Sequence, residues 1–387
     1  MAEVTVSVAT RARRGVATLG QIAAWAIVGG LALVVVAELA FFAVHAAHLL
    51  SYAYPLDYGE GPLLAQVQLL LSGTPIWRLY ADPGAPPYAV VNYPPVYHLL
   101  ATPVALLLEM FGVSGGGPSM AALQAGRVVS LAATLAAVVA LWTLTDDRRP
   151  TTDDRRPTTD DRRPTDDRRR TTDDGRPRAT TMVATEGTPY RGRWSVVTRT
   201  LVVLTFLGLP IVREWGTLMR VDMLGLSLGL WGLVIVRRGA GRRGVLWAAL
   251  PLTLSLFVKP SLIAAPAAAV LWLLFRDWRR ALLLGLLMAA GGGLAFGLLH
   301  VASGGWFALH ILGANANAWQ YDLARGFWRD QLAIVWPLLA AAGLGLLVCW
   351  TTENQNKEQR TKNKEAIDDE PSAQHVLRFT FYVLRFT

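Results

Sequence analysis

The chain has 387 residues, of which 53% are hydrophobic and only 17% are charged. A water-soluble chain has about a quarter of its residues charged, and here the apolar residues form long blocks without charge, so we expect lipid around much of the protein. The net charge of +9 does not indicate nucleic-acid binding, because the arginines lie in short runs between apolar blocks, where membrane topology places them. A single cysteine, Cys349, excludes an internal disulfide and a cysteine-rich metal site.

The N-terminal region predicts a membrane helix that is retained. Arg11, Arg13 and Arg14 precede an apolar run over about 22–50. A secretory signal peptide has an apolar region of only about 7–15 residues, so this longer run indicates a transmembrane helix whose basic end is cytoplasmic.

Three arginine-rich segments predict the orientation of the later helices. They are 145–195, which contains thirteen arginines, 237–243 and 276–280. Because lysine and arginine, rather than net charge, determine topology, all three are expected in the cytoplasm. The apolar blocks after the first helix lie at about 94–112, 121–144, 196–212, 222–236, 245–258, 261–275, 281–301 and 331–350.

The number of crossings follows from parity. If the N-terminus is cytoplasmic, residues 51–93 are outside, and an odd number of crossings must lie between 51–93 and a cytoplasmic 145–195. The block 94–112 contains Pro103 and His98, so we expect it to lie on the outer leaflet without crossing. The fold class predicted is therefore all-α, with about eight crossings and with juxtamembrane helices in the first outer loop: 20–48, 127–144, 196–212, 222–236, 245–259, 261–275, 281–301 and 331–350.

The predicted domain covers 1–350, and one low-complexity segment lies within it while a second follows it. Residues 145–178 repeat Thr-Asp-Asp-Arg-Arg-Pro-Thr with period seven, and this composition predicts a disordered cytoplasmic loop over 145–195. Short strings also recur at period seven after Thr351. We expect 351–387 to be a disordered, repeat-derived tail that replaces a lost C-terminal part.

The strongest local candidate for chemistry is Asp57-Tyr58-Gly59-Glu60-Gly61-Pro62, directly after the first helix. Two carboxylates three residues apart, beside glycines, suit a general base acting on a hydroxyl or a pair holding a cation. The alternative is a polar turn that begins a helix at Pro62. A divalent cation is compatible with this pair but is not implied.

Other charged residues are expected at the same outer face, at the ends of helices. Asp222 follows Arg220 at the start of a helix, where an acid is also favoured by the helix dipole. Cations at headgroup depth suit a lipid phosphate, although interfacial snorkelling is the simpler explanation for any one of them. The ionisable residues concerned are Arg127, Arg220, Asp222, Lys259 and His310, and Tyr93 supplies aromatic surface at headgroup depth.

The order of these motifs resembles the GT-C glycosyltransferases of the protein O-mannosyltransferase and aminoarabinose-transferase type. The resemblance covers about 20–330 and includes the acidic outer loop, Ser72-Gly73, Tyr93-Pro94-Pro95, an arginine opening the next helix, and Arg220-Val221-Asp222. It implies an inner-membrane enzyme that transfers a sugar from a polyprenyl-phosphate donor to an acceptor hydroxyl outside the cytoplasm. With one base and no nucleophile, an inverting displacement is expected.

The resemblance also implies roles for individual residues. Asp57, or alternatively Glu60, is the expected base, and Asp222 is expected to orient the site. Arg127, Arg220 and Lys259 are expected to face the lipid phosphate, and we add Tyr93 and His310 as substrate-binding candidates. No resident cofactor, metal site or nucleic-acid partner is expected; the partners are membrane lipid and the lipid-linked donor. The alternatives are a transporter or flippase for a lipid-linked or anionic substrate, and an inactive remnant.

Overall fold

The structure is a computed structural model that describes residues 32–86, 88–112, 118–146, 190–239, 241–316 and 320–369, together with residues 26, 29, 30 and 318. These residues form helices and connecting turns, and none of them lies in a β-strand, which confirms the all-α prediction for this part of the chain. A 3-10 helix covers Ile76–Tyr80 and a π-helical turn covers Leu309–Gly313. The α-helices are α1 (Ala32–Ser51), α2 (Glu60–Leu71), α3 (Val96–Met110), α4 (Pro118–Leu144), α5 (Tyr190–Gly208), α6 (Pro210–Trp215), α7 (Val221–Arg238), α8 (Gly241–Val258), α9 (Ala264–Leu274), α10 (Trp278–Ala302), α11 (Trp306–Ala308) and α12 (Tyr321–Asp369).

Three of the described helices are long and apolar enough to cross a membrane: Ala32–Ser51, Ser119–Leu144 and Trp278–Ala302. Their mean hydropathies are 2.0, 1.9 and 2.1, and much of their apolar surface faces outward. Outward apolar surface on a long helix is typical of a lipid-facing segment. The chain therefore has the features of a membrane protein, whereas the count of eight crossings stays a prediction.

Two predicted segments form helices that are much shorter than a bilayer is thick. α3 extends about 22 Å at about 1.5 Å per residue, less than the ~30 Å hydrocarbon core, as expected for a helix that does not cross. The same calculation gives α9 only about 16 Å, although 261–275 is predicted to cross. α9 therefore needs its flanking residues to return the chain across a bilayer.

Helix α7 is central to the helical bundle within residues up to Ala316. It packs against α4, α8 and α9. Its small residues allow close approach: a Cβ on Gly232 would meet the side chain of Leu252 in α8 at 2.4 Å. A larger residue at position 232 would separate α7 from α8. This close pairing fixes the start of α7 beside the end of α8, where the charged side chains meet.

One end of this bundle gathers the arginine-rich segments. Asp146, just after α4, forms ion pairs with Arg199 of α5 and with Arg238, the last residue of α7, the latter at 3.6 Å. Arg237 donates a hydrogen bond to the Asp146 carbonyl at 3.3 Å. The borders of the predicted loops therefore lie together at one end, which we call the arginine-rich end. Most of the 145–195 loop falls outside the described residues, and α5 begins at Tyr190 rather than at 196.

The C-terminal residues belong to a separate unit, in which the helix extends further than the sequence predicted. Residues up to Ala316 form one compact unit and Asn317–Thr387 belong to another, and the predicted domain over 1–350 stays a prediction. In the second unit, α12 continues to Asp369, whereas disorder was expected from Thr351. Residues 352–369 are rich in Glu, Lys, Gln and Arg and contain neither Gly nor Pro, and such residues favour helix. Residues 370–387 lie outside the described part.

Candidate functional site

Glu60 and Arg127 form a buried ion pair between α2 and α4. Both side chains are fully buried. The guanidinium donates two hydrogen bonds to the carboxylate, from Nε to Oε1 and from Nη2 to Oε2, each 2.9 Å long. The backbone N–H groups of Leu56 and Met219 add bonds to Oε2 and Oε1 at 2.7 and 2.8 Å. Every oxygen of this carboxylate therefore has two donors.

Arg127 also holds the chain that links α1 to α2. Its two terminal nitrogens donate to the carbonyls of Leu49, Tyr52 and Tyr54 at 2.5, 2.6 and 2.8 Å. An arginine with five such bonds and no exposed surface has no free donor for a ligand. The geometry therefore favours a structural role for Arg127, although the sequence predicted that it binds substrate.

The pKa of Glu60 is consistent with this role. Burial alone would raise the pKa, but the hydrogen bonds from Arg127, Leu56 and Met219 outweigh burial and hold the pKa below its ordinary value. A base needs a pKa near the working pH and room for the proton. Glu60 has neither, so of the two predicted bases the geometry favours Asp57.

Four charged side chains of alternating sign form a second network, which we call the Asp57–Lys259 network. Arg220 contacts Asp57 through Nη1, and its Nε lies 3.5 Å from Oδ2 of Asp222. Lys259 Nζ lies 2.5 Å from Oδ1 of Asp222. Asp57 precedes α2, Arg220 and Asp222 begin α7, and Lys259 follows α8, so helix ends bring the network together.

Aromatic side chains hold the cations of this network. The Arg220 guanidinium carbon lies 4.0 Å from the ring centroid of Trp215 and 5.2 Å from that of Tyr58. Lys259 Nζ lies 6.0 Å from the ring centroid of Tyr93. Cation–π contacts at these distances stabilise and orient the charged groups. Tyr93 therefore belongs to the site, and Trp215 is a site residue that sequence analysis missed.

The network is partly open, in contrast to the Glu60–Arg127 pair. The side chains of Asp57 and Lys259 are 18% and 24% exposed, whereas that of Arg220 is 5% exposed. Oδ2 of Asp57 accepts from Arg220 and from the Gly59 N–H, while no described residue donates a hydrogen bond to Oδ1. The site therefore offers an accessible carboxylate oxygen beside fixed cations.

The pKa of Arg220 shows how strongly the network holds its charge. Burial alone would lower the pKa, but hydrogen bonds to Asp57 and Tyr58, with the charges of Asp222 and Asp57, raise it above its usual value. Arg220 is thus a permanent cation between two carboxylates. It supplies positive potential to anything that binds beside Asp57.

Gly59 is the position at which this geometry is most easily tested. A Cβ there would meet Arg220 Nη1 at 2.8 Å and Asp57 Oδ2 at 3.0 Å, whereas nothing lies within 4 Å of a Cβ on Gly61. Gly59→Ala is therefore expected to separate the Asp57–Arg220 pair and to lower the free energy of unfolding by about 1.5–3 kcal/mol, the usual size for losing a hydrogen bond between charged groups.

Gly61→Ala is the matched control for this change. Because Gly61 lies inside α2 with open space around it, alanine should be neutral or stabilise by up to about 1 kcal/mol. Thermal unfolding of both variants in the same detergent measures the difference. Equal behaviour of the two variants would contradict the close packing of Gly59 against the network.

His310 does not join the network through any contact that the described residues make. It is fully buried; its Nδ1 accepts the Val91 N–H at 3.0 Å and its Nε2 donates to the Ala81 carbonyl at 2.7 Å. Both ring nitrogens are therefore used to tie the π-helical turn after α11 to the 81–91 segment. The geometry favours a structural role for a residue predicted to bind substrate.

Two openings lie close to these elements. An apolar groove of about 590 Å³ runs between α3, α8 and α10 and is lined by Val96, Leu254, Phe257 and Leu298 among others. Phe257 lies in the last turn of α8, two residues before Lys259. This groove is apolar and can accommodate a hydrocarbon chain.

The second opening is a larger cavity of about 1240 Å³ between α2, the 74–91 segment and the start of α11. Trp77, Arg78, Asp82 and Trp306 are among its lining residues. Indole rings that are exposed (Trp77) or partly exposed (Trp306) beside charged side chains are suited to polar ligands with apolar faces, such as sugars. Within the described ranges, no group of three or more His, Cys, Asp or Glu side chains is placed to hold a metal ion, and the absence of a resident cofactor stays a prediction.

Comparisons with known proteins found no match: no family model, no curated protein and no solved structure matches the chain.

Proposed function

We propose that the protein is a membrane glycosyltransferase that moves a sugar from a polyprenyl-phosphate donor to an acceptor hydroxyl. The observation that carries this proposal is the Asp57–Lys259 network, in which an accessible carboxylate oxygen lies beside fixed cations. Such an arrangement supplies the two things that the reaction needs, a base for the hydroxyl and positive charge for the phosphate.

The donor is assigned to the apolar groove and the cationic end of the network. The groove along α8 ends near Lys259, so a polyprenyl chain lying in it would bring its phosphate to the Lys259 ammonium and the Arg220 guanidinium. Lys259 has three donors, of which one binds Asp222. The others remain for phosphate oxygens.

The acceptor is assigned to the side of Asp57. Oδ1 of Asp57 takes the proton from the acceptor hydroxyl as its oxygen forms a bond to the anomeric carbon of the sugar. The bond from that carbon to the phosphate oxygen breaks, and the electron pair leaves with the polyprenyl phosphate. With one base and no nucleophile, the anomeric centre is inverted. The cavity with Trp77 and Trp306 would hold the rest of the acceptor.

The proposed topology has eight crossings and places the network outside the cytoplasm. Arg237 and Arg276 line one cavity at the arginine-rich end, although α8 and α9 separate them in sequence. The positive-inside rule makes that end cytoplasmic. The network lies at the start of α7 and the end of α8, which is the opposite end, so its substrates would come from the outer leaflet.

The deciding experiment measures turnover by the purified chain in lipid nanodiscs, supplied with radiolabelled polyprenyl-phosphate sugars and a panel of hydroxyl acceptors. Release of polyprenyl phosphate that depends on the acceptor would support the proposal. Intact movement of the donor across the bilayer of proteoliposomes, without cleavage, would instead identify a flippase. Binding without turnover for every sugar tested would identify an inactive remnant.

A further inference from the structure

The arginine-rich end contains a cavity that the proposed reaction does not use. It has a volume of about 350 Å³ and lies where the α7–α8 turn meets the α9–α10 turn. Its lining includes Arg237, Arg276 and Arg280, with Gly241 and Gly244 of the first turn of α8. The cavity is thus a concave, polar site between four helix ends.

The charge of this cavity is strongly positive. Asp277 is the one carboxylate among its lining residues, against three arginines, which leaves a net charge of +2. Asp277 is already engaged, because its Oδ2 lies 2.9 Å from Arg280 Nε and its side chain also caps α10. Arg276 has no ion pair with any described residue and is instead held over the Trp272 ring, with its guanidinium carbon 4.3 Å from the ring centroid.

An arginine that an aromatic ring holds in one orientation, and that forms no ion pair with a described carboxylate, is suited to bind a phosphate. The guanidinium presents a planar set of donors that matches phosphate oxygens, and stacking on an aromatic ring leaves its edge free to donate. The first backbone N–H groups of a helix add favourable partial charge. These features give the cavity the chemistry of a phosphate site.

The surface around the cavity indicates that the phosphate belongs to a lipid. Phe275 and Trp278, which flank Arg276 and Asp277, are 87% and 58% exposed, and Leu271 and Leu274 of α9 are also exposed. Large exposed aromatic residues beside basic residues are typical of the headgroup region of a bilayer. A free anion would make no use of this apolar surface, whereas acyl chains would cover it.

We infer that the cavity between the α7–α8 and α9–α10 turns binds the headgroup phosphate of an anionic phospholipid, with the acyl chains along α9 and α10. Basic pockets between membrane helices recognise anionic lipid headgroups in this way. The lipid would fasten the two helix turns to each other. This site is independent of the proposed glycosyl transfer.

The test measures lipid-dependent thermal stability of the full chain in neutral detergent at about 0.15 M salt, where exposed charges are screened beyond ~8 Å. Phosphatidylglycerol is expected to raise the melting temperature in a saturable manner, and phosphatidylcholine and inorganic phosphate are not. An equal rise with inorganic phosphate would assign the cavity to a free anion and overturn the proposal.

Matched variants locate the effect. Arg276→Gln with Arg280→Gln should weaken phosphatidylglycerol binding about thirtyfold, because each arginine contributes about 1 kcal/mol to the binding of an anionic lipid. Arg242→Gln with Arg243→Gln removes the same charge from residues outside the cavity lining. This control should weaken phosphatidylglycerol binding less than about threefold. Equal losses in the two variants would overturn the assignment.

The melting temperature of each variant without added lipid shows whether the variant is folded. Native mass spectrometry of the same preparations should show bound phosphatidylglycerol in the wild type and in Arg276→Lys, which keeps the charge. The lipid should be absent from the double cavity variant even where its lipid-free melting temperature is unchanged. Retention of the lipid by that variant would count against the site.

Discussion

Replacing Arg127 with methionine is expected to lower the free energy of unfolding by about 3–5 kcal/mol, the range measured when one partner of a buried ion pair is removed. The loss is large because Glu60 would keep its charge in a fully buried site. The carbonyls of Leu49, Tyr52 and Tyr54 would lose their donor as well. Thermal or denaturant unfolding in a fixed detergent measures the change.

A double-substitution cycle separates the ion pair from the carbonyl contacts. Glu60→Gln alone leaves a buried cation, whereas Glu60→Gln with Arg127→Met removes both charges. If the pair is as tightly coupled as its geometry indicates, the double variant should be more stable than the sum of the single losses by about 1–3 kcal/mol. Strict additivity would mean that Glu60 and Arg127 act separately, contrary to their two 2.9 Å bonds.

The same pair predicts a pH dependence. The pKa of Glu60 is lower in the folded protein than its ordinary value of 4.5, so the folded state binds this proton more weakly than the unfolded state does. The stabilisation by Glu60 is therefore complete above about pH 4.5 and is lost as the pH falls through the folded pKa. Glu60→Gln should flatten this part of the stability profile, and an unchanged acid transition would contradict the assignment.

The Glu60–Arg127 pair shows where sequence analysis reached its limit. A lone arginine in the apolar helix α4 correctly indicated that Arg127 must have a partner or a task. The sequence did not distinguish a protein carboxylate from a lipid phosphate as that partner, because Glu60 lies 67 positions away. The choice depends on how α2 packs against α4, which no local pattern encodes.

The Asp57–Lys259 network was easier to anticipate. Arg220, Asp222 and Lys259 all lie at ends of apolar helices, and the alternation of helix directions places such ends together. Trp215 was missed because an aromatic residue near a helix end is common in any membrane protein. The helix over 352–369 was missed because repeat character was weighed above the helix propensity of its Glu, Lys and Gln residues.

The proposed chemistry makes Asp57 the residue with the largest expected effect on activity. Asp57→Asn keeps the side-chain shape and an oxygen that can accept the Gly59 N–H, but it removes the base. Turnover should fall by about 10²–10⁴-fold, the usual contribution of a positioned general base. The effect should appear in kcat rather than in KM for the donor, because Lys259 and Arg220 remain.

Glu109→Gln is the control, because Glu109 is an exposed acid near the end of α3 and lines neither the apolar groove nor the larger cavity. This control should retain turnover within about twofold, as surface substitutions have small effects. Glu60→Gln should lower stability while the fraction that stays folded remains active. If Glu60→Gln abolished turnover at unchanged stability while Asp57→Asn remained active, the base would be Glu60 and the buried pair would have to open during the reaction.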